Sequence, residues 1–250
     1  MTKVAIHQPN FLPWMGLFHR LAMVDRFVVF DHVQAMGGRS WLSRNRILIQ
    51  GAPRWLTLPV LKAGRLGQAV TEVEIDYQRD IVRKHLRTLE LSYIKCPHGP
   101  QFLAMAERIY NAGHRYIAEF NTAFIKDVSE VLGLKVDFVS STTIVADNPE
   151  VLTLAGNDLV LAICRAAGGE QYFSGEGCTD FIHPAAFERN QIEFYFQKFV
   201  PPAYPQRGVG AFASHLSVFD ALCNIGADGV RKLIEVPSYE RPAAPISAGL

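Results

Sequence analysis

Side chains of the kinds that move protons and grip oxygen atoms crowd two short stretches near the start of the chain. In "VAIHQPNFLPWMGLFHR", residues 4–20, His7, Gln8, Asn10 and Trp14 share one proline-bearing turn, and "DHVQ" follows with Asp31, His32 and Gln34. A histidine beside a carboxylate is the smallest pair able to act as a general base, because the carboxylate fixes the imidazole tautomer and supports its charge. Carboxamides such as Gln8, Asn10 and Gln34 can hold a carbonyl or hydroxyl group in place. A plainer reading stands beside this one: Asn10 and the prolines shape the turn, Trp14 fills core, and His7 is a core histidine with its own partner.

Other clusters carry weaker signals. "RSWLSRNRILI" sets Arg39, Arg44 and Arg46 around Asn45, and guanidinium forks suit phosphate or carboxylate, although a solvated loop has the same composition. In "PPAYPQRGVGAFASHLSVFDALCNIG", Tyr204 and Gln206 precede a glycine-rich loop, and Ser217, Asp220 and Asn224 then fall on one face of a helix. Such a stripe faces either water or a site. Cys178, in the glycine-flanked "SGEGCTDF", is a candidate nucleophile that would take an acyl group from a thioester; the alternative is a small core residue. His7, Asp31 and His32 form no compact motif of the HExxH kind, so no metal site is expected.

The elements that must position these residues alternate as in an α/β fold. "KVAIHQ" reads as a strand, "WMGLFHRLAMVD" as a helix and "RFVVFDHV" as a second strand, a βαβ unit that makes the two strands parallel. His7 and Asp31 then end neighbouring strands on the same sheet edge, where α/β proteins bind ligands. "RNRILIQ", "RWLTLPV" and "AVTEVEID" read as shorter strands of a meander or ribbon. Apolar spacing of three and four residues marks 80–133 as an inserted helical subdomain. "KVDFVSSTTI" returns to a strand, "NDLVLAICRAAGG" to a helix, and "EQYFSG" and "IEFYFQKF" to strands. The closing "SHLSVFDALCNIGADGVRKLIE" is helical with breaks at Gly226 and Gly229. The expected architecture is therefore a mostly parallel sheet over 1–79 and 134–236, with a flexible tail over 237–250.

Composition removes whole classes of function. The 250 residues, about half of them apolar, can bury a substantial core, and a net charge of +1 offers no field for a polyanion, so nucleic acid is not an expected partner. No run approaches the roughly 20 apolar residues that span a bilayer, and the N-terminus lacks a signal peptide, so a cytoplasmic location and no membrane partner are expected. Cys96, Cys164, Cys178 and Cys223 are scattered without a CxxC pair and read as reduced thiols.

"HQPNFLPWMG", "DHVQ", "WLSRNRI", "WLTLPV", "YFSG", "YPQ" followed by "GAF", and "LSVFDALCNIG", in this order, resemble the WbqC-like family over nearly the whole chain. Its Gln-Pro/Ser-Asn turn falls on Gln8, Pro9 and Asn10, its Pro-Trp-x-Gly on Pro13, Trp14 and Gly16, and its Asp-Asp-Val-Gln on Asp31, His32, Val33 and Gln34. Its Trp-x-Asn-Arg-Asn falls on Trp41, Ser43, Arg44 and Asn45, and its late Ser, Asp and Asn on Ser217, Asp220 and Asn224. His32 and Ser43 depart from the family's Asp and Asn, which bears on substrate rather than fold.

The resemblance implies amide formation: transfer of an acyl or aminoacyl group from a thioester to an amine such as an amino sugar or a small biosynthetic intermediate. The donor would be coenzyme A or the phosphopantetheine of an acyl carrier protein, with no tightly bound cofactor. Expected partners are a small-molecule amine or sugar nucleotide, a carrier protein, and a second copy of the chain as a homodimer. His7 polarised by Asp31 would take the amine proton, Gln8, Asn10, Trp14, Gln34, Tyr204 and Gln206 would line the substrate, and Arg44 with Asn45 would hold phosphate. Two other readings stay open. The His- and Pro-bearing turn is similar to that of adenylyl- and nucleotidyltransferases, with "VSSTTI" as a Ser/Thr-rich phosphate motif, although His19 does not sit at the spacing of their second histidine. The other is a binding module, without catalysis, for a tethered intermediate.

Overall fold

Val4, Ala5 and Ile6 are all buried, as a strand covered on both faces requires. In the computed structural model, which describes residues 1–37 and 40–242, that strand is central. The elements are β1 (Lys3–His7), α1 (Met15–Leu21), β2 (Arg26–Val29), β3 (Arg44–Ile49), β4 (Ala52–Thr57), α2 (Ile81–Tyr93), α3 (Gly99–Asn111) and α4 (Ile117–Val131). They continue with β5 (Asp137–Ser140), α5 (Ser141–Asp147), α6 (Gly156–Ala166), β6 (Gln171–Ser174), α7 (Pro184–Arg189), β7 (Glu193–Gln197), α8 (Val218–Ile234) and β8 (Tyr239–Glu240).

The main sheet has the order β5-β2-β1-β6-β7-β8, and every pairing is parallel except β7 with β8. The chain runs outward through β1, β2 and β5, then returns to the other side of β1 with β6 and β7. The reversal falls between β1 and β6, the topological switch point at which open α/β sheets bind ligands. Pairing across it is short: Lys3 with Gln171 and Val4 with Tyr172. No pairing of the two strands follows Val4 and Tyr172, and His7 and Ser174 are their last residues.

Alternation along the strands feeds two apolar cores. Val4, Ile6, Val28, Tyr172 and Phe194 face a cluster with residues of α5, α6 and α7. Ala5, Phe27 and Phe173 face the other, which takes in α1, α2, α3, α4, the β3–β4 hairpin and α8. The helices expected at 80–133 thus share their core with α1 and α8. Helix α8 is bent at Gly226, whose φ of 71° admits the kink and whose missing Cβ makes room for the His98 ring. At the expected break of Gly229 the helix continues.

Two segments differ from the sequence reading. "AVTEVEID" forms a 3-10 turn at Val70–Glu72 and isolated bridges, Val60 with Ile75 and Glu74 with Tyr116, rather than a strand. "KVDFVSSTTI" leaves the sheet after Ser140, because the Ser140 hydroxyl accepts from the Thr142 N–H and starts α5. In the segment read as a tail, Tyr239–Glu240 pairs with β7, and residues 243–250 lie outside the described residues.

Candidate functional site

The turn after β1 is braced by buried amides. The Asn45 Nδ2 donates to the carbonyls of Phe11 (3.3 Å) and Leu12 (2.7 Å), and the Asn121 Nδ2 donates to those of Pro9 and Leu42, each at 2.8 Å. The Val218 N–H donates to the Pro13 carbonyl, tying the turn to the start of α8. Leu12 sits at φ 41°, a left-handed backbone that these bonds hold in place. The Trp14 indole lies over Gly16, where a Cβ would collide with the ring, and this explains the Pro-Trp-x-Gly spacing. Trp14 also stacks on His215, centroids 5.3 Å apart.

His7 is the last residue of β1, at the β1–β6 switch point. Its Nδ1–H donates to the Gln8 carbonyl at 2.7 Å, which leaves Nε2 as the basic nitrogen. Burial, helped by the charge of Arg20, holds its pKa down to about 4, so the ring is neutral at physiological pH. The side-chain amides of Gln8 and Asn10 beside it are half-buried and make no hydrogen bond among the described residues.

Arg20 is the group that the sequence reading missed. It lies near the end of α1, only 5 % exposed, and its guanidinium reaches the end of β6, where a Cβ on Gly175 would strike its Nη2. Its hydrogen bonds go to a neutral amide: the Gln197 Oε1 accepts from Nε at 3.3 Å and from Nη2 at 2.9 Å. Nη1 has no partner and no carboxylate pairs with the charge among the described residues. Burial pulls its pKa below the ordinary arginine value, while Tyr172, Cys178 and Tyr239 are close enough to act on the charge. An arginine set among Met15, Leu17, Phe18 and Leu21 in "MGLFHRL", with only His19 polar beside it, was the signal available in the sequence. Gln197 also donates to the Gly16 carbonyl and to His19 Nδ1, and His19 Nε2–H donates to the Val236 carbonyl; His19 is thereby a brace, stacked on Phe199.

Asp31 is not the partner of His7, which corrects the dyad expected from sequence. Its carboxylate accepts from the Ser140 hydroxyl (2.7 and 2.9 Å), the Ser141 hydroxyl (3.0 Å), and the Thr142 N–H and hydroxyl (3.0 Å each). The "VSSTTI" segment read as a phosphate motif is therefore occupied by Asp31 from the same sheet edge. His32 Nδ1 meets the Ser141 hydroxyl at 2.7 Å in the same knot.

The remaining expectations separate. Gln34 is exposed, bridges to Ala69, and lines a cleft of about 220 Å3 with Ser40, Ser43, Lys62, Arg65 and Gln68, away from His7 and Arg20. Asn45 is buried as a brace and cannot hold phosphate. Arg44 lies on the Trp55 ring, 4.0 Å from its centroid, and Arg39 lies outside the described residues. Tyr204, Gln206, Asp220 and Asn224 bond to one another and to the 201–216 loop, while Tyr204 and Ser217 also line a small surface cavity beside Trp14. The Tyr204 hydroxyl (2.7 Å) and the Gln206 amide (3.0 Å) donate to Asp220, Asn224 accepts the Arg207 N–H, and the Ser217 hydroxyl caps α8 through the Phe219 N–H. Burial raises the pKa of Asp220, and the Tyr204 and Gln206 bonds oppose that shift. This network fastens the 201–216 loop to α8. Cys178 ends a 3-10 turn after β6, half-buried, and Cys96, Cys164 and Cys223 are buried free thiols.

The chemistry available is thus concentrated at the switch point: a neutral imidazole, an uncompensated guanidinium, two free carboxamides and a thiol. Among the described residues no three His, Cys, Asp or Glu side chains converge as a metal site, and no helix is long and apolar enough to cross a membrane. No solved structure matches the chain. A relative from Mycobacterium tuberculosis, the uncharacterized protein Rv1507c, is 28 % identical over 242 residues, covering 96 % of this chain and 98 % of its own length. The model of the WbqC-like protein family matches residues 8–232, and the chain belongs to that family.

Proposed function

We propose that the protein transfers an acyl or aminoacyl group from a thioester to an amine, with the reacting groups at the β1–β6 switch point. The observation that carries this reading is neutral His7 close enough to feel the charge of a buried Arg20 that has no counter-anion among the described residues. Burying a guanidinium without a carboxylate is costly, and an anionic group of the substrate, carboxylate or phosphate, would offset that cost. In the reaction the amine nitrogen attacks the thioester carbonyl carbon and gives up its proton to His7 Nε2. The carbon–sulfur bond then breaks, and the imidazolium returns the proton to the departing thiolate, so that amide and free thiol result. A ring with a pKa of about 4 is a weak base but a ready acid, which favours the second half of this cycle. Gln8 and Asn10 would orient the carbonyl. Cys178, near Arg20, would be the acyl acceptor if the transfer runs in two steps.

Purified protein incubated with acyl and glycyl thioesters and a panel of amines, read by mass spectrometry, tests the reading. Amide product that is lost in His7→Ala and Arg20→Met supports it; unchanged product in both variants overturns the roles of His7 and Arg20. Saturable binding without turnover across the panel would identify a binding module instead. The switch-point strand order favours a second reading, nucleotidyl or adenylyl transfer, since that crevice is a common nucleotide position. Pyrophosphate release from ATP in the presence of a carboxylic acid would establish it.

A further inference from the structure

The β3–β4 hairpin presents an exposed face that neither the core nor the switch-point chemistry uses. Arg46 lies opposite Trp55 and Arg44 opposite Thr57, so alternation brings both arginines to the side of the sheet that carries the Trp55 indole. The Arg44 guanidinium lies 4.0 Å from the Trp55 ring centroid and that of Arg46 5.9 Å. Trp41 stands 5.3 Å away, centroid to centroid, and the two indoles are 48 % and 45 % exposed. Both Nε–H groups are buried without a hydrogen-bond partner, and neither arginine has an acidic partner among the described residues.

This strip runs directly to the turn after His7. The Arg46 Nη2 donates to the His215 carbonyl, His215 stacks on Trp14, and the Trp41 carbonyl accepts the Phe11 N–H. The two indole planes are inclined by 51°, so an exposed indole face can accept a flat base, and the terminal guanidinium N–H groups can donate to phosphate. We propose that this face binds the nucleotide moiety of the donor, a base on the Trp41–Trp55 platform and its phosphate on Arg44 and Arg46. A single nucleotide fits better than a polynucleotide, because the two arginines sit on one hairpin of a chain whose net charge is only +1. The base-and-phosphate site stands independently; that its ligand is the donor rests on the transfer reading.

Adenosine 3′,5′-bisphosphate titrated into the full chain, read by tryptophan fluorescence, tests this. Saturable quenching that weakens at least tenfold in both Trp55→Ala and Arg44→Gln, with circular dichroism unchanged, is expected. Trp41→Phe, which keeps an aromatic plane, should weaken it less. Undiminished binding in Trp55→Ala and Arg44→Gln, equal competition by inorganic phosphate, or far tighter binding of a single-stranded oligonucleotide would each overturn the proposal. So would a dimer that dissociates in Trp55→Ala, since the face would then meet a second copy. Transfer without nucleotide binding defeats the inference and leaves the transfer reading standing. Nucleotide binding retained in His7→Ala with no transfer by the parent protein does the reverse.

Discussion

Two neighbouring strands end on the same edge of the sheet with opposite electrostatic outcomes. At the end of β2, Asp31 is met by three hydroxyls and a backbone N–H, so its charge is fully answered by the protein. At the end of β1, His7 keeps a free nitrogen, and the Arg20 charge that acts on it from the neighbouring end of β6 is answered by one neutral amide oxygen. Both ends are rich in polar groups, and only the second has bonding capacity left for a ligand. Residue type alone marks neither as functional; the unfilled valence does.

Removing the satisfied charge should cost the most. Asp31→Ala strands three hydroxyls, while the Thr142 N–H keeps its bond to the Ser140 hydroxyl, and should destabilise the fold by about 4 kcal/mol, as urea denaturation will show. A loss below about 1 kcal/mol would break the contrast, because the knot would then not depend on its anion. Asn45→Ala removes the brace of the His7 turn and should cost about 2 kcal/mol by the same measurement.

The pH dependence sharpens the β1 side. His7 titrates at about 4 in the fold and 6.5 ordinarily, so between these values the unfolded chain binds a proton that the fold refuses. Its contribution to stability is whole above pH 6.5 and is lost as pH falls through about 4. Urea midpoints at neutral pH and at about pH 5 should therefore diverge less in His7→Gln than in the parent chain. His85, held at about 4 by burial, keeps the same trend in that variant and serves as its internal control.

The smallest stability change is expected at Arg20. Arg20→Met exchanges an unpaired buried charge for an apolar chain of similar length and should alter stability by less than about 1 kcal/mol. If Arg20 receives an anionic substrate group, such substrates should raise the thermal midpoint of the parent protein and not that of this variant. A large destabilisation without loss of that rise would assign Arg20 to structure, as Asp31 is.

Legibility in the sequence followed the range of the interactions. Short apolar runs exposed β1 and β2, and period-3.6 patterns exposed α1 and the helices of 80–133, because local burial sets them. "AVTEVEID" alternated like a strand, yet its partners are single bridges from distant segments, so no ladder forms. The turn of His7 was recognisable from its composition. Its partner was not, since Asp31 had a choice between His7 on one side and Ser140–Thr142 on the other, and those hydroxyls are more than a hundred residues away in sequence. Likewise the Ser217, Asp220 and Asn224 stripe was visible as a helix face, but only packing shows that a returning loop covers it.

The sequence by itself determined the parallel opening of the sheet, the polar turn at its edge and the family, all of which rest on local patterns and contiguous motifs. The tertiary structure alone decided which charges are answered. That outcome depends on how strands from opposite ends of the chain meet, with β6 bringing Gly175 and β7 bringing Gln197 to an arginine at position 20. Hydrogen bonding over such separations is fixed by geometry in space, and no spacing along the chain encodes it.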